Sequence, residues 1–310
     1  MPCATIHMML SGRALRAWEA RPSTAPFPLR AQTVRAFLHG SMAPDTGFVP
    51  GAERFPSVLA HYVQPADLVR ELAHGARSDE ERAFAWGWAA HVVGDVVLHP
   101  QVGHACGEAV RGDRSQRLNA MDDLETHVGM EVGLDILVLA SDPDIPRPER
   151  RPFFSATSIE FLRGAYARAY GIDLDAHRMW LSHRRATQRT ARWPNLLRVL
   201  DRAHGVSARG RSSAAAGGLV SVARRFARAG SAFRGLLRPR RPPAWLVELA
   251  QTEGDRFPAR LATVIDAGLE QLENRNLESG ELTGPHDPHP ESRAAYEQLR
   301  ALRGESRVSD

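Results

Sequence analysis

Apolar residues recur every three to four positions along most of the chain, whereas runs that alternate between apolar and polar residues are scarce. This spacing places apolar side chains on one face of an α-helix. The sequence therefore predicts an all-α protein. The predicted helices cover residues 5–18, 30–40, 57–76, 79–105, 115–140, 155–170, 176–202, 219–237, 244–274 and 290–303.

Segments rich in proline and glycine separate several of these helices, at 43–51, 141–152, 238–243 and 277–290. Residues 203–243 differ from the rest in composition, because they are rich in Arg, Ala, Gly and Ser and contain no acidic residue. We therefore divide the chain into three parts. These are a helical core at 1–202, a basic linker with an amphipathic helix at 203–243, and C-terminal helices at 244–310 that we expect to pack on the core.

The helix within the basic linker separates apolar from cationic side chains. Its apolar side carries Leu219, Val222, Phe226, Phe233 and Leu237, and its other side carries Arg224, Arg225, Arg228, Arg234 and Arg238. This pattern fits a helix that lies on an anionic membrane through residues 219–238. It also fits a helix that packs on its own protein and exposes a solvated basic face, which is the interpretation that we favour.

The overall composition fits a folded globular protein. The 310 residues are 43% hydrophobic, which is enough to bury a large core. The net charge is +4 and all 40 basic residues are arginine, a bias that does not by itself indicate nucleic-acid binding. The two cysteines, Cys3 and Cys106, form no C-x-x-C pair, and the N-terminus lacks the features of a secretory signal. We therefore expect a cytoplasmic protein, with peripheral contact at the inner membrane face as an open alternative.

The segment HVVGDVVLHP at 91–100 carries the first candidate chemistry. His91, Asp95 and His99 follow one another at intervals of four residues, so they lie along one face of a helix. In an otherwise apolar segment, two imidazoles and a carboxylate need a partner, and a metal cation satisfies all three together. The alternative is that they are ordinary polar residues of the core or the surface.

A second segment, LETHVGMEVGLD, repeats the pattern with His127 and Glu131 four residues apart. Two such helices could hold a pair of metal ions, an arrangement that hydrolyses phosphate esters. Further candidates lie upstream, at His7, at Asp45 in the APDTGF loop and at His61. Each has an alternative explanation. His7 could be a core histidine, Asp45 could cap a helix or a turn, and His61 competes with His74.

Four motifs together resemble the zinc-dependent phospholipase C family, which shares its fold with single-strand-specific zinc nucleases. They are MPCATIHMMLSG at the start, FLHGSMAPDTGF at 37–48, GWAAHVVGDVVLHP at 87–100 and HVGMEVGLD at 127–135. They occur in the same order as in that family and cover about residues 1–140. The rest of the chain resembles the family only in its further predicted helices and in the segment NRNLESG, which is loosely similar.

The resemblance implies a set of zinc ligands. It implies a first zinc at Asp45, His61, His91 and Asp95, a second at His99, His127 and Glu131, and a third at His7 and Asp95. We expect two zinc ions and leave the third open, because Met1-Pro2 shows no sign of processing to the N-terminal tryptophan of the family's secreted members. His99 follows Asp95 at four residues instead of their six, so His104 stays an alternative ligand.

The resulting hypothesis is a zinc-dependent phosphodiesterase of phospholipase C type, with a phospholipid or a similar ester as substrate and Asp45 as both ligand and general base. A single-strand nuclease is less favoured, because Trp86, Trp88 and Tyr62 have the spacing of core residues and not of stacking platforms. A third hypothesis is a non-catalytic helical protein that zinc stabilises and that docks a membrane or a partner. The sequence determines neither the head group nor the oligomeric state.

Several polar residues near the motifs receive no catalytic role. Asp122 and Asp123 precede His127 and could orient ligand imidazoles or cap the helix, and we favour capping. His39 and His104 are expected at the surface or outside the ligand set. No role is assigned to His177, His183, His204, His286 and His289, since none has a partner at ligand spacing.

Overall fold

A computed structural model describes residues 4–207, 231–284 and 287–305. Within these ranges the protein is all-α, as the sequence predicts, and the only strand-like pairing is an isolated bridge between Arg275 and Leu282. The helices are α1 Ala4–Ala20, α2 Ala31–Gly40, α3 Phe55–Tyr62, α4 Pro65–Gly75, α5 Asp79–Arg111, α6 Leu124–Ser141, α7 Glu160–Tyr170, α8 Ala176–Thr190, α9 Trp193–His204, α10 Ser231–Leu237, α11 Ala244–Ala267 and α12 Pro290–Arg303.

Helix α5 is the long central element, and α1, α2, α4, α6 and α11 pack around it. Its start is fixed by a capping box, because Ser78 Oγ accepts from the Glu81 amide and the Glu81 carboxylate accepts from the Ser78 amide. Gly112 ends it in the left-handed conformation with φ of 70°. The helix is buried along most of its length, which explains its almost continuous apolar sequence between the polar residues of the site.

Helices α2 and α5 cross at a pair of glycines. A Cβ atom on Gly40 would lie 2.1 Å from the Phe84 carbonyl oxygen, and one on Gly87 would lie 2.0 Å from the Phe37 carbonyl oxygen. No side chain fits at either position, so the two backbones approach closely here. This crossing brings the end of α2 against the face of α5 that carries His91.

Several predicted helices have different limits in the structure; for example, the helix predicted at 155–170 begins at Glu160 and the one predicted at 244–274 ends at Ala267. The helix predicted at 57–76 is two helices, because Gln64 adopts a left-handed conformation with φ of 47° directly before Pro65. The helix predicted at 176–202 breaks between α8 and α9, where Pro194 lies in the first turn of α9. The helix predicted at 115–140 begins only at Leu124. Asp123 caps it by accepting from the Thr126 amide at 3.0 Å, which is the role predicted for Asp123.

The C-terminal helices share the main core, since Leu246, Phe257 and Leu299 belong to the same buried cluster as Leu10 and Trp88. Residues 208–230, with most of the predicted amphipathic helix, lie outside the described residues, as does His286. The C-terminal end of the predicted amphipathic helix is described as α10, which packs on α6. The division of the chain at 203 and 243 stays a prediction. In the described ranges, no helix has the length and apolar character needed to cross a bilayer.

Candidate metal centre

The first turns of α1 place His7 in the interior. The Asp135 carboxylate of α6 accepts from the amides of Thr5 and Ile6 at 3.1 and 3.2 Å, and so anchors the start of the helix. His7 then stacks on His91 with ring centroids 3.9 Å apart, and its Nε2 lies 3.1 Å from Asp95 Oδ1. The structure therefore places His7 beside the α5 residues and not among the apolar side chains of the core.

Asp45 lies in a short 3₁₀ turn, Pro44–Phe48, which Ser57 of α3 holds in place. Ser57 Oγ accepts from the Gly47 amide at 2.7 Å, and the Ser57 carbonyl accepts from His61 Nδ1 at 2.8 Å. Ser57 thus positions both Asp45 and His61, whose Nε2 lies 3.2 Å from Asp45 Oδ1.

Helix α5 supplies the central residues, at the predicted spacing. His91 Nδ1 donates to the Ser41 carbonyl at 2.9 Å, which directs Nε2 toward Asp95 Oδ2 at 3.1 Å. Asp95 Oδ2 also lies 3.7 Å from His99 Nδ1 and 3.7 Å from His61 Nε2. Asp95 is therefore the carboxylate at which the side chains of α1, α3 and α5 converge.

Helix α6 contributes the second pair. His127 Nε2 lies 3.2 Å from His99 Nε2 and 3.5 Å from Glu131 Oε1, while His99 Nε2 lies 2.9 Å from the same Glu131 oxygen. Cys106 of α5 is buried near the His127 ring. The residues of α5 and α6 that the sequence paired by spacing thus face one another.

All eight candidate ligands lie in three adjoining groups of potential metal-binding atoms. These groups are His7, His91 and Asp95; Asp45, His61 and His91; and His99, His127 and Glu131. In each group the donor atoms lie within 4.8 Å of one another. Ligands of a tetrahedral zinc ion with bonds of about 2.1 Å are about 3.4 Å apart, so this spacing fits that geometry.

The electrostatics of the site favour ionised carboxylates. Burial alone would raise the pKa of Asp95, but the imidazoles of His91 and His7 hold it well below its usual range. Asp45 likewise has a lowered pKa, since His91 and His61 outweigh the effect of burial. Burial also opposes ionisation of Glu131, yet His127 lowers its pKa to about 2. Three buried carboxylates therefore require positive charge next to them.

The imidazole rings indicate which kind of cation fits the site. His61 and His91 both donate through Nδ1 to backbone carbonyls. In a ring with no second proton the lone pair is therefore on Nε2, and the two Nε2 atoms are 3.3 Å apart. Facing lone pairs repel unless a proton or a cation lies between them. Imidazole nitrogen and carboxylate oxygen are the donor atoms that zinc prefers, so the residues present fit zinc.

The alternative ligands lie elsewhere. His104 Nδ1 donates to the Arg114 carbonyl and belongs to none of the three groups, whereas His99 lies in the group with His127 and Glu131. His74 is exposed and pairs with Glu270 at 3.0 Å. His39 does not reach the site and lies instead beside His183, with ring centroids 6.1 Å apart.

Sequence reasoning missed the residues that support the ligands. Besides Ser41, Ser57 and Asp135, it missed Glu278, which is buried and accepts from Tyr62 Oη at 2.9 Å and from the Ala120 amide. A carboxylate oxygen of Glu278 also lies 3.1 Å from Nε2 of His289, a residue to which the sequence gave no role. Glu278 lies in the segment NRNLESG. The loose similarity of that segment to the family was the one sequence signal that could have identified Glu278.

Comparison with known proteins agrees with this arrangement. A family model described as zinc dependent phospholipase C matches residues 6–180, a range that contains all eight candidate ligands. A stretch of 64 residues is 36% identical to an uncharacterised protein of Archaeoglobus fulgidus. That match covers 20% of this chain and 19% of the relative, so it spans about a fifth of each protein. No solved structure matches the chain significantly.

Proposed function

This chain belongs to the zinc-dependent phospholipase C family, and from that premise we propose that it is a zinc-dependent phosphodiester hydrolase with a phospholipid or a similar ester as substrate. The observation that carries the proposal is the convergence of eight imidazole and carboxylate side chains, from four helices and one turn, into three adjoining groups. Sites with several metal ions a few ångströms apart are suited to phosphate-ester hydrolysis.

The proposed ligands divide between two halves of the centre. Asp45, His61, His91 and Asp95 would hold one zinc ion, and His99, His127 and Glu131 a second, while His7 and Asp95 form the start of a third position. When bound, zinc lowers the pKa of a coordinated water and polarises the phosphoryl oxygen atoms. The backbone carbonyls of Ser41 and Ser57 hold the His91 and His61 rings so that Nε2 faces the centre.

Asp45 is the residue that we propose as the general base. Its carboxylate is ionised at neutral pH, it lies on a turn and not on a helix, and its Oδ1 lies 3.2 Å from His61 Nε2. A carboxylate at the edge of the ligand set can orient a water molecule and accept its proton. Among the other ligands, Asp95 has imidazole neighbours at both oxygen atoms and is less available for this role.

The structure also bears on the nuclease alternative. Trp88 is fully buried, Trp86 packs against the core, and Tyr62 is buried and donates to Glu278. None of these three aromatic side chains is placed to stack on an exposed base, as a single-strand nuclease requires. This observation favours a phospholipid-type substrate over a nucleic acid.

The first test measures metal content and hydrolysis together. We expect purified protein to contain at least two zinc equivalents by elemental analysis, and to hydrolyse an aryl phosphodiester such as p-nitrophenylphosphorylcholine. Asp45→Asn keeps one oxygen donor but cannot accept a proton, so it should lower hydrolysis by about 100- to 10,000-fold while most zinc stays bound. Asp266→Asn, at an exposed position on α11, is the matched control and should leave both quantities unchanged.

Three results would contradict the proposal in different ways. Zinc-free protein from zinc-replete cells, with unchanged melting in a chelator, would remove the metal centre altogether. Hydrolysis that survives Asp45→Asn would remove Asp45 from the role of base. Zinc-loaded protein that is inert on phospholipids, aryl phosphodiesters and single-stranded DNA would favour a metal-stabilised scaffold.

A further inference from the structure

A second cavity, lined by apolar and polar side chains, lies beside the end of α2 and contains none of the proposed metal ligands. Its volume is about 60 Å³, and the side chains that define it are Met8, Arg35, His39, Met42, Arg147 and His183. A single water molecule needs only about 10–15 Å³ measured in this way, so the cavity can accept a small ligand. Directly after α2, the Ser41 carbonyl contacts His91, whereas His39 in the last turn of α2 and Met42 after it line this cavity.

Buried polar atoms without a hydrogen-bond partner converge on this cavity. His183 is only 3% exposed, yet neither of its ring nitrogens has a hydrogen-bond partner in the protein. Nε2 of His39 and Nε of Arg35 are likewise buried and unpaired. Leaving buried donors and acceptors unsatisfied costs free energy, which a ligand with matching groups recovers.

The protonation of the two imidazoles determines which groups match. Burial lowers the pKa of His39 to about 4 and that of His183 to about 3, so both rings are neutral near pH 7. The Arg151 carbonyl accepts a hydrogen bond from the His39 ring, which leaves a lone pair on Nε2. The neutral His183 ring offers one N–H group and one lone pair.

The charge around the cavity indicates an anion and not a metal cation. Two arginines, Arg35 and the exposed Arg147, line it, and the one acidic residue in the lining, Glu149, lies 3.8 Å from Arg35. Arginine binds phosphate groups well, because it offers several N–H donors on a permanent charge. A ligand here must therefore present anionic oxygens to the arginines and hydroxyl groups to the imidazole lone pairs.

We propose that this cavity, which we call the His39–His183 pocket, binds a phosphorylated polyol. The phosphate would be held by Arg35 and Arg147, and hydroxyl groups would donate to the lone pairs of His39 and His183. Free glycerol phosphate and the head group of phosphatidylglycerol share this chemistry. The proposal does not depend on whether the metal centre is catalytically active.

The test is calorimetric titration of the full-length, zinc-loaded protein with sn-glycerol 3-phosphate. Phosphate groups can also bind zinc. The relevant quantity is therefore the difference in affinity between the wild-type protein and variants of the pocket. We expect His183→Phe, which removes both ring nitrogens, and Arg35→Gln, which removes the cation, each to weaken this binding at least tenfold. His177→Gln changes an exposed histidine on the same helix and should have no effect.

Titrations with other compounds identify the class of ligand. Glycerol without phosphate should not bind, and inorganic phosphate should bind more weakly than glycerol phosphate, since it does not fill the polyol part of the pocket. Tighter binding of dihexanoyl phosphatidylglycerol than of glycerol phosphate would identify a lipid source, and the reverse would identify a free metabolite. Zinc content and hydrolysis of the aryl phosphodiester, measured on the same variants, should stay at wild-type values.

Two results would overturn the proposal. One is equal binding of glycerol phosphate to wild-type protein and to correctly folded His183→Phe and Arg35→Gln variants, with folding checked by thermal melting. The other is one metal equivalent fewer in His183→Phe than in wild type, which would show that the pocket holds a cation. If His183→Phe fails to fold, His39→Phe removes the lone pair of the other ring and tests the pocket from α2.

Discussion

At the scale of single residues, the behaviour of each buried histidine depends on what its two ring nitrogens contact. His91 donates through Nδ1 to a carbonyl and faces Asp95 and Asp45 through Nε2. Although burial lowers its pKa, these carboxylates raise it above its ordinary value. His183 is equally buried but has no carboxylate neighbour, so burial lowers its pKa to about 3. The same side chain is a site for positive charge in one place and a neutral donor and acceptor in the other.

This difference predicts a pH dependence of stability that belongs to His183. In the unfolded chain its pKa is near the ordinary 6.5, so between about pH 3 and 6.5 the unfolded state binds more protons than the folded state. The contribution of His183 is fully present above pH 6.5 and falls as the pH drops. At pH 5 the loss is about 2 kcal/mol relative to pH 7.

The measurement is the free energy of unfolding in urea at pH 7 and pH 5, for wild type and for His183→Phe. The metal ligands titrate in both proteins, so their effect cancels in the difference between the two. We expect that difference to change by about 2 kcal/mol in favour of the variant between the two pH values. Parallel pH profiles would show that His183 is not held neutral by burial.

At the scale of helices, the glycine crossing of α2 and α5 connects packing to the site. Gly87→Ala places a methyl group 2.0 Å from the Phe37 carbonyl and 2.8 Å from the Ser41 amide, so the two helices must separate. Ser41 holds the His91 ring through its carbonyl, and separation therefore disturbs a proposed ligand as well as the core. We expect a loss of about 1–3 kcal/mol in stability, together with weaker zinc binding.

Gly164→Ala is the matched control for this variant. Gly164 lies inside α7, and the nearest atom to its added Cβ is a guanidinium nitrogen of Arg168 at 3.2 Å, the flexible end of a partly exposed side chain. Here alanine should stabilise the helix by about 0.5–1 kcal/mol and leave zinc binding unchanged. Urea unfolding and elemental analysis of both variants give the answer. Similar stability for the two would show that the α2–α5 contact is not tight.

The helices also show what the sequence could predict and what it could not. The all-α class and the facing of α5 and α6 follow from periodicity and from residues four positions apart, which are local properties. The breaks before Pro65 and Pro194 were visible in the sequence but were outweighed by a continuous apolar pattern. Ser57 is only four residues from His61, but its contact is made by a backbone carbonyl, which the sequence does not mark. The contacts of Ser41 with His91 and of Glu278 with Tyr62 join distant segments, for which single-residue spacing carries no signal. The neighbouring positions of His39 and His183 are hidden for the same reason.

At the scale of the whole molecule, the positive charge is unevenly distributed. The acid-free stretch 203–243 carries many of the arginines, and the structure shows how part of it is used. Arg234 and Arg238 pair with Glu125 of α6 at 2.7 and 3.3 Å, while Leu236 and Leu237 pack against the buried cluster that contains Val132. This end of the predicted amphipathic helix thus packs on its own protein. The interpretation of Arg224, Arg225 and Arg228 as a membrane-binding face stays a prediction.

That prediction is tested with vesicles. If the three arginines bind lipid, the protein should bind vesicles that contain phosphatidylglycerol but not vesicles of phosphatidylcholine alone. Binding should weaken with added salt, because the screening length falls to about 10 Å at 0.1 M.

Changing Arg224, Arg225 and Arg228 together to Gln should abolish sedimentation with anionic vesicles, whereas the same change at the exposed Arg21, Arg178 and Arg202 should not. Zinc content should be equal in both variants, since none of these arginines is a proposed ligand. Equal binding to neutral and anionic vesicles, or an unchanged affinity of the first variant, would mean that these arginines form a solvated face and that the molecule reaches its substrate without this segment.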